Sequence, residues 1–159
     1  MKPIQAWLDE YSSSHRNPTN KRLHWLCIPP IVFSVLGLLR ALQFGDGAIN
    51  GAVIAVLLAM AYYCLLSWRL TLGMVAVFAA LYFGVDYLHA QMATGPFLGL
   101  MVAVFVIAWI GQFIGHKVEG AKPSFFKDLQ FLMIGPLWLL ADLYRRLHLN
   151  IVGERIAHG

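Results

Sequence analysis

The chain has 159 residues, 59% of them hydrophobic and only 13% charged. Soluble domains carry roughly 25% charged residues, and a chain this small exposes much of its surface to water. An ordinary soluble globule and a disordered chain are therefore both excluded. The length suits one domain, residues 1–159, and a net charge of +4 in so apolar a chain reports membrane topology rather than nucleic-acid binding.

At the N-terminus Ile4, Trp7, Leu8 and Tyr11 recur at i, i+3, i+4 and i+7, which predicts an amphipathic helix. No apolar run opens the chain, so no secretory signal is expected. His15 lies four residues after Tyr11 and extends the same face. Asn17-Pro18 then predicts a break, because the residue before a proline disfavours the α conformation. Thr19 or Asn20 is the expected cap of the next helix. His24 sits about one turn into that helix, so His15 and His24 flank a tight helix-turn-helix and can face each other.

Four stretches approach the length of about 20 apolar residues that a transmembrane helix needs. They run over Trp25–Leu39 (containing Pro29-Pro30), Ile49–Trp68, Leu70–Leu88 and Pro96–Ile114. Short connections at Gly45-Asp46-Gly47, Arg69 and Ala93-Thr94-Gly95 predict an up-down four-helix bundle. A fifth stretch, Leu129–Leu143, is shorter and is interrupted at Gly135-Pro136, which reads as a re-entrant or interfacial helix. The fold class expected is all-α: an integral membrane bundle of four transmembrane helices, an amphipathic N-terminal helix and this short fifth helix.

Charge orients the bundle. Lys2, Arg16, Lys21, Arg22, Arg69, Lys117, Lys122 and Lys127 all fall on one side if four helices span, and Arg40 alone lies at the other edge. Arg145, Arg146 and Arg155 join the first side if the fifth helix does not cross. The positive-inside rule then puts the N-terminus and the loop after Ile114 in the cytoplasm, in a bacterial inner membrane or an endoplasmic reticulum membrane. Cys27 and Cys64 lie in apolar stretches and suggest no disulfide framework.

That topology gathers His15, His24 and His116 at one membrane face and leaves His89 across the bilayer. His116 and Glu119 are at i and i+3 on one helical face, a spacing used by metal sites inside helical bundles. Gly115 leaves room beside the histidine for close backbone approach. Three converging neutral imidazoles suit iron, zinc or copper. The alternative from the residues alone is three interfacial histidines, with His116 and Glu119 as a helix-end ion pair. His89 can pair with Asp86, His148 follows a basic cluster, and His158 is terminal. The tryptophans mostly sit near segment ends, as interfacial belts do. No Walker loop, Rossmann glycine pattern, G-x-S-x-G or H-E-x-x-H is present.

Three segments carry a family resemblance. His15-Arg16-Asn17-Pro18-Thr19-Asn20-Lys21-Arg22-Leu23-His24, followed by Ile28-Pro29, resembles the first motif of a small membrane family. Trp109-Ile110-Gly111-Gln112-Phe113-Ile114-Gly115-His116, with Glu119 and Lys122-Pro123, resembles the second, and Gly135-Pro136 with Asp142 a third, weaker one. This is the family of the fungal iron(II)-dependent 2-hydroxy fatty acid dioxygenase of α-oxidation. The resemblance implies an oxidoreductase that cleaves a 2-hydroxy fatty acid with O2 to an acid one carbon shorter. It implies Fe(2+) held by His15, His24 and His116. Glu119 would join the catalytic group as a further ligand or by orienting His116. Asn20, Gln112, Lys117 and Lys122 would contact substrate, with Arg16 as a further cation for its carboxylate, and the acyl tail would lie among helices or membrane lipids. Two other readings remain: a non-enzymatic four-helix lipid-binding or scaffold protein, and a zinc-dependent membrane hydrolase.

Overall fold

A computed structural model describes residues 2–45, 48–120 and 130–149. Lys122, Lys127, Arg155 and His158 lie outside the described residues. The described chain is all-α apart from one minimal hairpin. Its order is α1 (Ile4–Ser13), α2 (Pro18–Arg40), β1 (Gln43–Phe44), β2 (Ile49–Asn50), α3 (Gly51–Leu66), α4 (Trp68–Gln91), α5 (Thr94–Glu119) and α6 (Gln130–Arg146). The strands pair antiparallel, Gln43 opposite Asn50 and Phe44 opposite Ile49. The all-α expectation omits this hairpin, which lies between α2 and α3.

Local chemistry sets each boundary. α1 buries Ile4, Trp7, Leu8 and Tyr11, the residues of the apolar stripe. It ends at Ser13, earlier than the Asn17-Pro18 signal suggested, with the Ser14 and His15 amides bonded to Tyr11 O and Ser12 O. The cap of α2 is neither Thr19 nor Asn20. Asn17 caps it, its side chain accepting from the Thr19 amide at 2.8 Å. Pro18 is then the first helical residue, where a missing N–H costs nothing because that donor has no partner inside the helix. Asn50 caps α3 by accepting from the Val53 amide, and its Nδ2 donates to Tyr82 Oη. Ser67 both ends α3 and caps α4. Gly120 closes α5 at φ 73°, a left-handed conformation that favours glycine.

The contacts establish alternating direction. α5 runs antiparallel along α2, with Gly111 against Cys27 and Gly115 against Asn20 near one end, and Gly37 against Phe97 and Met101 near the other. α4 runs parallel to α2, since Gly84 meets Phe33 and Asp86 receives Arg40 Nε at 2.8 Å. The Arg40 pairing displaces the expected Asp86–His89 pair, and His89 instead packs edge-on against Phe97. Small residues at the α2–α5 seam let the backbones approach, which is how helices associate where lipid supplies no hydrophobic driving force. A Cβ at Gly111 would fall 2.5 Å from Cys27 Sγ. Gly111→Ala should therefore lower stability by about 1–3 kcal/mol. Cys27→Ala should restore part of that loss, read by thermal unfolding in detergent.

The expectation of four crossing helices is met in part. α2, α4 and α5 are long and apolar enough to cross a membrane. α3 has 16 residues, about 24 Å of helix, short of a hydrocarbon core about 30 Å thick. Large apolar side chains such as Leu57, Leu72, Phe83 and Ile107 are exposed, more than a water-facing surface tolerates in contiguous form. α6 lies against the end of the bundle that carries the N-terminus of α2. Its Asp142 accepts Trp25 Nε1, its Met133 O accepts Tyr63 Oη, and its Tyr144 meets Gly73. Trp138 is not an interfacial belt residue: it is buried in the middle of α6 and donates to Ser12 Oγ at 2.8 Å.

Candidate metal centre

His15 ends the turn after α1, His24 lies just inside α2, and His116 lies in the last turn of the antiparallel α5. All three are buried, at 1%, 2% and 6% exposure. One ring nitrogen from each lies within 4.8 Å of the others. Burial on this scale is unusual for histidine at a helix end and requires compensation.

The hydrogen bonds fix two tautomers. His15 Nδ1 is 2.6 Å from Tyr11 O, and His24 Nδ1 is 3.0 Å from Asn20 O. A carbonyl oxygen only accepts, so both Nδ1 atoms carry the proton and both Nε2 atoms present lone pairs. Those two Nε2 atoms are 2.9 Å apart. Two facing lone pairs at that distance repel unless a cation lies between or beside them. Burial holds His15 below its ordinary pKa, the Lys21 charge pushing the same way against the Tyr11 carbonyl and Glu119. A proton is therefore a poor candidate for that cation. His116 Nδ1 is also buried with no hydrogen-bond partner. A metal ion held by one nitrogen of each ring answers the facing lone pairs, and imidazole nitrogen suits iron, zinc or copper. Each imidazole that donates Nδ1–H to a carbonyl is also oriented and made more basic at Nε2.

Glu119 stands outside this nitrogen cluster. Its carboxylate accepts the Arg16 amide at 2.8 Å, the Asn17 amide at 2.9 Å and Asn20 Nδ2 at 3.0 Å. It thus anchors the start of α2, where free amides and the helix dipole favour an anion, and ties the His15 turn to the end of α5. Asn20 is fully buried and links Glu119 to the His24 carbonyl bond, with its Oδ1 seated where a Gly115 side chain would stand. The room predicted beside Gly115 is filled by Asn20.

A cavity of about 60 Å³ adjoins the histidines, lined by Gln112 and Tyr11 and by apolar residues including Ile28, Trp109 and Pro136. Gln112 is buried and is thus placed beside the cluster. Lys117 is exposed and does not line this cavity. Two further residues, given no site role by the sequence reading, flank the cluster. Tyr11 stacks on the His15 ring at 4.2 Å and 5°, which its i, i+4 spacing could have suggested. Lys21 is close enough to act on His15 electrostatically, which its place between the two motif histidines could have suggested.

A family model described as "2-hydroxy-palmitic acid dioxygenase Mpo1-like" matches residues 1–147. The chain belongs to the Mpo1-like family. The 2-hydroxy-palmitic acid dioxygenase MPO1 of Saccharomyces cerevisiae is 29% identical over 148 residues, covering 91% of this chain and 81% of its own length. No solved structure matches the chain. Both resemblance motifs thus meet in space in this Mpo1-like chain: the first supplies His15 and His24, the second His116 and the Glu119 anchor. The third motif serves as the α6 dock. A Cβ at Gly135 would stand 3.2 Å from Tyr11 Oη, and Asp142 accepts from Trp25 and Arg146.

Proposed function

We propose that the protein is an iron(II)-dependent dioxygenase that cleaves 2-hydroxy fatty acids with O2 to acids one carbon shorter. The observation that carries this reading is the buried three-histidine cluster, with two lone pairs facing at 2.9 Å and a third nitrogen unpartnered. Membership of the Mpo1-like family and the named activity of the yeast relative supply the substrate class. Iron(II) held by His15, His24 and His116 would leave coordination positions open for a 2-hydroxy carboxylate and for O2 activation.

The chain's own residues act around that ion. The Tyr11 and Asn20 carbonyls hold His15 and His24 in the ligating tautomer. Tyr11 stacks on His15, and Glu119 fixes the turn between the histidines. Arg16, Lys21 and Lys117 give this end of the bundle a positive field that draws in a carboxylate. Gln112 offers an amide to the substrate's polar head, and the apolar cavity walls keep bulk water away. Among the described basic residues only Arg40 lies at the far end, which supports four crossing helices with the histidine end in the cytoplasm and α6 packed at that face.

Product analysis tests the reaction. Protein in lipid vesicles should convert 2-hydroxy-palmitic acid to the saturated acid one carbon shorter in an O2-dependent manner. Palmitic acid and 3-hydroxy-palmitic acid should be left intact. Release of a product of unchanged chain length, or equal turnover without O2, would reject the assignment.

A further inference from the structure

Next to the histidine chamber lies another cavity, of about 150 Å³, between α2, α4 and α6. Apart from Trp25 its walls are aliphatic, methionine or proline side chains. Ile28, Val32 and Pro136 line both this chamber and the smaller one at the histidines, so these three residues are a shared wall.

The helix periods turn that wall into a track. His24, Ile28 and Val32 are spaced i, i+4 and i+8, one face of α2 climbing about 12 Å. Met74, Val77 and Leu81 follow at i, i+3 and i+7 along the facing α4. The histidine chamber, at about 60 Å³, accommodates a polar head and O2 but not a long chain. An apolar cavity of about 150 Å³ stays dry and takes up benzene, so the second chamber has room for roughly six carbons. It opens toward lipid at Val77 and Leu143, each 39% exposed, where the remainder of a longer chain can leave.

We propose that the slot between α2, α4 and α6 holds the alkyl chain of the 2-hydroxy acid, with Val77 and Leu81 lining the path by which a long chain leaves toward lipid. This rests on the functional reading above for the identity of the head group. The occupant is the substrate chain rather than a bilayer lipid because the chamber shares its wall with the histidine site.

Photolabelling of the metal-loaded protein in phosphatidylcholine vesicles tests the slot without requiring turnover. The probe is a 2-hydroxy fatty acid bearing a diazirine in mid-chain. Labels should fall on the Met74–Leu81 segment, and excess unlabelled 2-hydroxy-palmitic acid should remove them. Labels confined to Ile31 and Leu132, at the histidine chamber's own lipid-facing mouth, would overturn the proposal. So would α4 labels that no 2-hydroxy acid displaces, which would mark a bilayer lipid. In turnover, Val77→Phe and Leu81→Phe should raise KM for long chains relative to short ones by about tenfold or more, with metal content unchanged. An unchanged ratio would count against the slot. Competed α4 labelling in a protein that turns over no 2-hydroxy acid would reject the dioxygenase reading and leave the slot standing.

Discussion

Replacing His116 with alanine should remove the bound metal and abolish turnover while leaving the helical fold in place. The substitution deletes one of three nitrogen donors and leaves two. Removing groups that merely orient a ligand costs about 10–100-fold in affinity or activity, so losing a ligand itself should cost at least about 100-fold. The fold should survive because the metal-free protein loses an imidazole whose Nδ1 has no partner. Deleting an unsatisfied buried group offsets part of the cost of the void it leaves. The two effects should keep the change in metal-free stability within about 2 kcal/mol. Metal content by elemental analysis and unfolding in detergent check both halves. His15→Ala and His24→Ala should lose metal in the same way. Tyr11→Phe, which keeps the carbonyl that holds His15, should not.

Glu119→Gln should weaken metal binding by about 10–100-fold without setting a ceiling on the rate. The amide keeps the carboxylate's shape but replaces one acceptor oxygen with a donor. That donor would face the Arg16 amide or the Asn17–Asn20 pair, all of which donate. The negative charge at the start of α2 is lost as well. A stability loss of about 1–3 kcal/mol should accompany the change. The decisive readout is kcat at saturating iron. If Glu119 positions the His15 turn, kcat returns to near the unmodified value once the site is filled. If Glu119 were itself a ligand or a proton carrier, kcat would stay low at any iron concentration.

Much of this architecture was legible in the residues. The Ile4–Tyr11 stripe marks α1, because 3.6-residue periodicity survives any packing arrangement. The long apolar runs mark α2, α4 and α5, because hydrocarbon thickness sets a minimum length. Short connections and charge placement bring His15, His24 and His116 to one end from the sequence alone. What stayed hidden depends on which helices touch. The Glu119 carboxylate reaches the start of α2 only because α5 returns antiparallel along it, and no local spacing announces that. Arg40 takes Asp86 from His89 because α2 and α4 run parallel. Trp138 reads as a belt residue by type, yet packing of α6 on α1 turns it inward to Ser12. The alkyl slot combines wall residues from three helices far apart in the chain, so it has no linear motif at all.

Metal-swap oxygen uptake tests the central claim most directly. Protein stripped of metal should be reloaded anaerobically with iron(II) or with zinc(II) and given 2-hydroxy-palmitic acid and O2. On the iron(II) reading, O2 is consumed with iron(II) alone, and that uptake is lost in His116→Ala. Equal O2 uptake by the stripped protein, or uptake by His116→Ala matching the unmodified chain, would contradict it.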